Sequence, residues 1–169
     1  MSDEYANQPG VSEWKFVDLL KTPLHKKINW RRLKKKKNEV SLEEGVLLDF
    51  RFEGDGVLDT AYDDFRSFLG ARNISDGGKY KIITAQVNTS CFEEYNIDVG
   101  DGCCTISAGD TEGIRRGLVH VEDMLVSSGG PFLKKGSVNR RPFIKNRITR
   151  CFFGPINRPP LNRDELMDD

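Results

Sequence analysis

The stretch from Tyr95 to Arg147 constrains the fold of this chain more than any other, because it fixes the order of several elements. Apolar and polar residues alternate over 95–99 and again over 104–106, on either side of Gly100-Asp-Gly102, which predicts a β-hairpin. Helical periodicity over 111–127 follows, with Asp110 as a suitable N-cap. A second short hairpin is predicted over 132–138, around Lys134-Lys-Gly136. An Arg-Pro segment then enters a new apolar stretch.

The helix predicted over 111–127 carries a regular apolar stripe, formed by Ile114, Leu118, Val121, Met124 and Leu125. Gly113 and Gly117 are four residues apart, so they share a face of the helix. Each costs about 1 kcal/mol in helix propensity relative to alanine. We therefore expect this face to lie close against a sheet.

Residues 41–87 predict a strand, a helix and a second strand. Val46–Phe50 and Phe52 form an apolar run, and apolar residues then recur every three or four positions over 58–70. Tyr80–Val87 reads as the next strand, so a right-handed crossover between parallel strands is expected. The predicted fold class is α+β: a small mixed β-sheet of four or five strands with two helices packed on one face.

Composition suits one globular domain with polar flanks. The chain has 169 residues, 37% of them apolar and 31% charged, and its formal net charge is zero. No overall field therefore favours nucleic acid or a membrane, and no apolar run approaches the roughly 20 residues of a membrane helix. Met1–Gly10 lacks the features of a signal peptide. The expected location is cytoplasmic, or extracellular if a leading segment has been removed.

The residue types that carry chemistry form no recognisable site. Cys91, Cys103, Cys104 and Cys151 have no zinc-ligand spacing, so no metal site is predicted and the cysteines are expected to be buried, reduced thiols. The carboxylates of Asp49, Glu53, Asp98 and Asp110 are interpreted as caps, turns or strand-face residues. His120 is interpreted as a packing or surface residue. No catalytic residue and no cofactor are predicted.

A basic run marks the N-terminal flank. Eight Lys and Arg residues lie between Lys26 and Lys37, with Trp30 among them. Such a run could hold phosphates or stack on a base, but it is more simply a solvated arm. Residues 1–40 are accordingly predicted to be a polar, basic N-terminal arm that packs partly on the body.

Two segments resemble a known family. Ile106-Ser-Ala-Gly-Asp-Thr-Glu-Gly-Ile-Arg-Arg-Gly-Leu118 and Arg141-Pro-Phe-Ile-Lys-Asn-Arg147 are similar to the α+β domain that precedes the catalytic barrel in glycoside hydrolases of the β-N-acetylhexosaminidase and α-glucuronidase families. The resemblance implies an accessory domain over 41–139. It also implies that residues 140–169 enter the first strand of a (β/α)₈ barrel whose remainder is missing from this chain.

The resemblance implies one substrate-binding residue, Arg147, since the family's arginine at this position contacts sugar hydroxyls. The chain departs from the hexosaminidases straight afterwards, with Ile148 in place of glycine and Cys151-Phe-Phe-Gly-Pro155 in place of Asp-x-x-Arg-His-Phe. The α-glucuronidase branch or another relative therefore fits equally well. The apolar tail residues Ile148, Cys151, Phe152, Phe153 and Ile156 are predicted to be disordered or shielded by self-association.

Two functions follow from these observations. The first is a non-catalytic domain of a glycoside hydrolase in carbohydrate degradation, with its own barrel as partner and a carbohydrate as the substrate of the whole protein. The second is a stand-alone binding module whose basic arm contacts nucleic acid or an acidic protein. No membrane partner is expected, and nucleic acid is not favoured as a partner.

Overall fold

A five-stranded mixed sheet with both helices on one face organises the protein in the computed structural model, which describes residues 25–27, 29–54 and 56–143. In that part of the chain, a two-stranded sheet accompanies it. The elements in chain order are β1 (Glu39–Ser41), β2 (Val46–Phe50), α1 (Gly56–Ala71), β3 (Tyr80–Gln86), β4 (Tyr95–Val99), β5 (Cys103–Ala108), α2 (Thr111–Ser128), β6 (Phe132–Lys134) and β7 (Gly136–Arg140).

The large sheet has the strand order β2-β3-β5-β4-β7. β2 runs parallel to β3, and β3 runs parallel to β5, with Val46 opposite Tyr80 and Ile82 opposite Cys104. α1 connects β2 to β3, so the predicted crossover between parallel strands is confirmed. β4 pairs antiparallel with β5, with Ile97 opposite Ile106, which confirms the predicted hairpin.

The hairpin predicted over 132–138 is wrong. β6 pairs antiparallel with β1, whereas β7 pairs antiparallel with β4 at the edge of the large sheet. Phe132 and Leu133 are both fully buried, so this segment lacks the exposed face of an isolated hairpin. Gly136, at φ 137°, adopts a conformation that other residues rarely reach, and the chain changes sheets there.

The two helices cover one face of the large sheet and contact each other. The residues that fill the layer between them are apolar and almost fully buried: Leu58, Phe65 and Phe68 from α1, Ile82, Ile97 and Ile106 from the sheet, and Ile114, Leu118, Val121 and Leu125 from α2. The opposite face of the sheet carries exposed polar residues such as Lys81 and Asp98. This arrangement confirms the α+β prediction of two helices on one face.

α2 approaches the sheet closely at its glycines, as predicted. A Cβ on Gly117 would lie 2.4 Å from Cγ2 of Ile106, and one on Gly113 would lie 2.7 Å from Cβ of Ala108. Asp110 caps the helix, because its Oδ1 accepts a hydrogen bond of 2.8 Å from the backbone N–H of Gly113. These contacts fix the first two turns of α2 over the ends of β4 and β5.

β1 spans the boundary predicted at residue 40. The division of the chain into an arm, a domain and the start of a barrel stays a prediction.

No helix in the described part of the chain is both long and apolar enough to cross a membrane.

Candidate functional site

A cleft of about 450 Å³ opens where the start of β4, the outer side of α2 and the end of β7 meet. Tyr95 and Arg140 are directly opposite each other in the register of β4 and β7. They share the face of the sheet on which α2 packs, and α2 adds His120 above them. The cleft continues to Pro142, close to the end of the described residues.

Tyr95 and His120 form the centre of this cleft. The Tyr95 hydroxyl lies 3.0 Å from Nδ1 of His120, and the two rings are arranged edge to face, 5.8 Å apart at an interplanar angle of 84°. Burial raises the pKa of the Tyr95 hydroxyl. Burial also lowers the pKa of His120, and Arg140 lowers it further. Both side chains therefore stay neutral near pH 7.

Four arginines line the cleft, and they divide into two pairs. Arg115 binds Glu112, with Nε 2.7 Å from Oε2, and Arg116 binds both Glu93 and Glu112 at 3.1 Å. Arg140 and Arg141 make no side-chain hydrogen bond or ion pair with any other described residue. The carboxylate of Asp123 also borders the cleft.

This arrangement suits binding more than bond cleavage. Guanidinium groups without a partner offer several N–H donors in a fixed plane, which fits a carboxylate or neighbouring sugar hydroxyls. Glu93 is already engaged by Arg116, and the neutral imidazole of His120 is bonded to Tyr95. The sequence did not predict the hydrogen bond between Tyr95 and His120, because the two residues lie 25 positions apart, on a strand and on a helix.

The predicted substrate-binding residue, Arg147, lies outside the described residues, and so do Cys151 and the other apolar residues of the tail. Asp110 is a cap, Asp98 is exposed on its strand, and Asp49 pairs with Arg51, with Nε 2.9 Å from Oδ2. These positions agree with the structural roles predicted for these carboxylates.

The cysteine prediction is confirmed at one position and wrong at another. Cys104 is fully buried as a free thiol, and burial raises its pKa to about 12. Cys103 is half-buried, whereas Cys91 is exposed because it lies in the loop before β4 rather than in the sheet.

The basic run is mostly exposed, except at Arg32. Its guanidinium forms two hydrogen bonds to Glu39, of 2.7 and 3.0 Å, and Nε donates to the carbonyl of Ser128. The hydrogen bonds from Arg32 hold the pKa of the Glu39 carboxyl below its usual value. The lysines at 26, 27 and 34–37 are exposed. Arg32 is thus a structural tie to the end of α2, and the neighbouring lysines form a solvated surface.

Comparison with known proteins finds solved structures that are similar to this chain. No family model matches the chain, and no curated protein matches its sequence. A GH138 enzyme targeting pectin rhamnogalacturonan II has a TM-score of 0.51 and 18% identity, over 58% of this chain and 15% of its own.

Two further solved structures match at lower scores. CpGH84D has a TM-score of 0.47 and 10% identity, over 64% of this chain and 22% of its own. A GH20 β-N-acetylhexosaminidase from Streptomyces coelicolor A3(2) has a TM-score of 0.42 and 17% identity, over 62% of this chain and 23% of its own. All three neighbours are glycoside hydrolases, and this chain spans less than a quarter of each. This chain and the GH138 enzyme are similar in fold over the matched residues.

Proposed function

We propose that this chain is a non-catalytic accessory domain of a glycoside hydrolase and that it supports a catalytic barrel formed by the residues that follow it. The observation that carries the proposal is the fold, a mixed sheet with α1 and α2 on one face, which it shares with a segment of a GH138 enzyme at a TM-score of 0.51. The two sequence segments that resemble the pre-barrel domain, 106–118 and 141–147, support the same assignment.

The carboxylates of the described residues support a non-catalytic role. Glycoside cleavage needs an acid with a raised pKa, together with either a second carboxyl group at a defined separation or an acetamido group of the substrate. Hydrogen bonds from Ser90 and Asn139 lower the pKa of Glu94 to about 2, and the hydrogen bond from Arg115 lowers that of Glu112. Neither group can donate a proton near neutral pH.

Glu122 is the carboxyl group that most resembles a general acid, because burial raises its pKa to about 7. It borders a groove of about 630 Å³ between the helices, in which the side chains that can donate hydrogen bonds are already engaged. Thr60 and Ser67 donate to backbone carbonyls of α1, and Arg115 binds Glu112. The groove therefore offers few free donors for sugar hydroxyls.

The exposed side of α2 supports a role in packing against a further domain. Val119 and Val126 are 44% and 49% exposed, and they are two helical turns apart, so they form an apolar strip on one face. Contiguous apolar patches on a protein surface commonly mark contacts with another protein. We propose that the barrel covers this one.

Arg147 is proposed to contact the substrate, and this role can be tested in the full-length protein. Replacing Arg147 with alanine is expected to lower kcat/KM for a cleaved glycoside about ten-fold or more, because hydrogen bonds from a charged donor contribute about 1.5–3 kcal/mol each. The matched control is Lys145→Ala, which removes a nearby cation of the same segment. Equal activity of the two variants would refute the substrate contact and leave the domain assignment intact.

The alternative is a stand-alone binding module, and the exposed lysines at 26, 27 and 34–37 favour it. Binding of a fluorescent single-stranded oligonucleotide separates the two functions. A binding module should lose affinity steeply as the salt concentration rises from 50 to 200 mM, because bound phosphates release counterions. An accessory domain should show no such binding at either concentration.

A further inference from the structure

Three side chains that can bind metals meet on the helix layer, outside the set of residues that line the Tyr95–His120 cleft. They are His25, Asp64 of α1 and Glu122 of α2. Nε2 of His25 lies 2.9 Å from Oδ1 of Asp64, and one ligand atom from each of the three residues lies within 4.8 Å of the other two. They come from parts of the chain 39 and 58 residues apart.

The positions of these groups are set by the surrounding packing. The edge of the His25 ring meets the ring of Phe68 at 82°, with centroids 5.3 Å apart, and Phe68 is itself buried in the core. The His25 and Asp64 side chains are 22% and 34% exposed, and Glu122 is half-buried. A ligand could therefore reach the cluster from solvent without unfolding the helices.

The cluster lacks a neutralising cation within the described residues. Glu122 makes no hydrogen bond or ion pair with another described residue, although Asp64 faces it. Arg115 borders the same groove, but its guanidinium is bound to Glu112. Arg66, one turn from Asp63 on α1, is bound to Asp63. Two carboxylates thus meet beside one imidazole with no positive side chain between them.

We infer that His25, Asp64 and Glu122 form a binding site for a divalent metal ion, with Nε2 of the histidine and one oxygen of each carboxylate as ligands. One imidazole with two carboxylates matches the mixed nitrogen and oxygen ligands of Zn²⁺, which binds both at about 2.0–2.2 Å. Four-coordinate Zn²⁺ would take one water as its fourth ligand. Ca²⁺ is disfavoured, because it requires about 6–8 oxygen ligands.

Binding would require a modest closure of the cluster. Ligand bonds of about 2.1 Å place neighbouring ligand atoms about 3.4 Å apart in a tetrahedral site. The three ligand atoms now lie within 4.8 Å of one another. A movement of about 1–2 Å by the flexible Glu122 side chain would therefore bring them to the separation of a tetrahedral site. The bound ion would join α1, α2 and the segment at residue 25, which leads into the basic run.

Calorimetric titration of ZnCl₂ into the metal-free chain tests the inference. Wild-type protein is expected to bind one Zn²⁺ with heat that saturates, and Zn²⁺ should raise the Tm. Glu122→Gln and His25→Ala should each weaken binding by more than about ten-fold, since even a residue that only orients a metal ligand costs that much. Circular dichroism establishes that each variant is folded.

The matched control is Asp63→Asn, which removes a carboxylate next to Asp64 that pairs with Arg66 instead. It should bind Zn²⁺ as the wild type does. No Zn²⁺ binding by the wild type would overturn the inference, and so would undiminished binding by folded Glu122→Gln. Binding that is lost in Cys91→Ser but kept in His25→Ala would place the metal elsewhere and would also overturn it. These outcomes are independent of whether the protein acts on glycosides.

Discussion

At the scale of single residues, the cleft owes its chemistry to the burial of two titratable rings. The Tyr95 hydroxyl of β4 and the His120 imidazole of α2 are hydrogen-bonded at 3.0 Å. Loss of solvation disfavours the charged form of each ring, and the nearby guanidinium of Arg140 disfavours the imidazolium further. The cleft thus combines neutral rings with cationic side chains at its edge.

Replacing Arg140 with glutamine should raise the pKa of His120 toward its ordinary value of 6.5. Because the folded pKa is lowered, the unfolded chain binds more protons below about pH 6.5, and the free energy of unfolding falls as the pH drops through that window. This loss should be smaller in the variant. An NMR titration of the imidazole resonances measures the shift directly.

The control for this titration is Arg66→Gln, which removes a cation on α1 that binds Asp63. It should leave the pKa of His120 unchanged. If Arg140→Gln also leaves it unchanged, Arg140 does not contribute to the electrostatics of the cleft.

At the scale of elements, the contact between α2 and the sheet decides where the helix sits. Gly117 lies directly above Ile106, which is fully buried in the centre of the sheet and so cannot move aside. The cost of glycine in the helix is offset by this close approach. The first half of α2 is thereby held over the cleft residues of β4.

Gly117→Ala should destabilise the protein by about 1–3 kcal/mol, because the added methyl group overpacks the contact with Ile106. The matched control is Gly70→Ala in α1, where nothing lies within 4 Å of the added Cβ. There, higher helix propensity should stabilise by up to about 1 kcal/mol. Urea unfolding measures both changes, and equal stability of Gly117→Ala and wild type would contradict the close packing.

Local patterns predicted the elements that local interactions determine. The apolar stripe of α2, its Asp110 cap and the alternation of β4 and β5 were all readable from neighbouring residues. The segment at 132–138 was not, because its strands pair with β1 and β4, far away in sequence. The same reason hides the bond between His120 and Tyr95, and the meeting of His25 with Asp64 and Glu122.

At the scale of the whole molecule, the two faces of the sheet differ. One is covered by α1 and α2, and the other carries exposed polar side chains. The apolar strip of Val119 and Val126 lies on the helix layer, and the cleft opens beside the last described strand, β7. The proposed function predicts that a further domain contacts both features.

Glycoside hydrolysis by this chain alone and by the full-length protein, measured side by side on chromogenic glycosides and pectic oligosaccharides, tests the proposed accessory role. The full-length protein should release sugar, and this chain alone should do so no faster than buffer. Turnover by the isolated chain, or its absence from the full-length protein on every glycoside, would contradict a non-catalytic domain of a glycoside hydrolase.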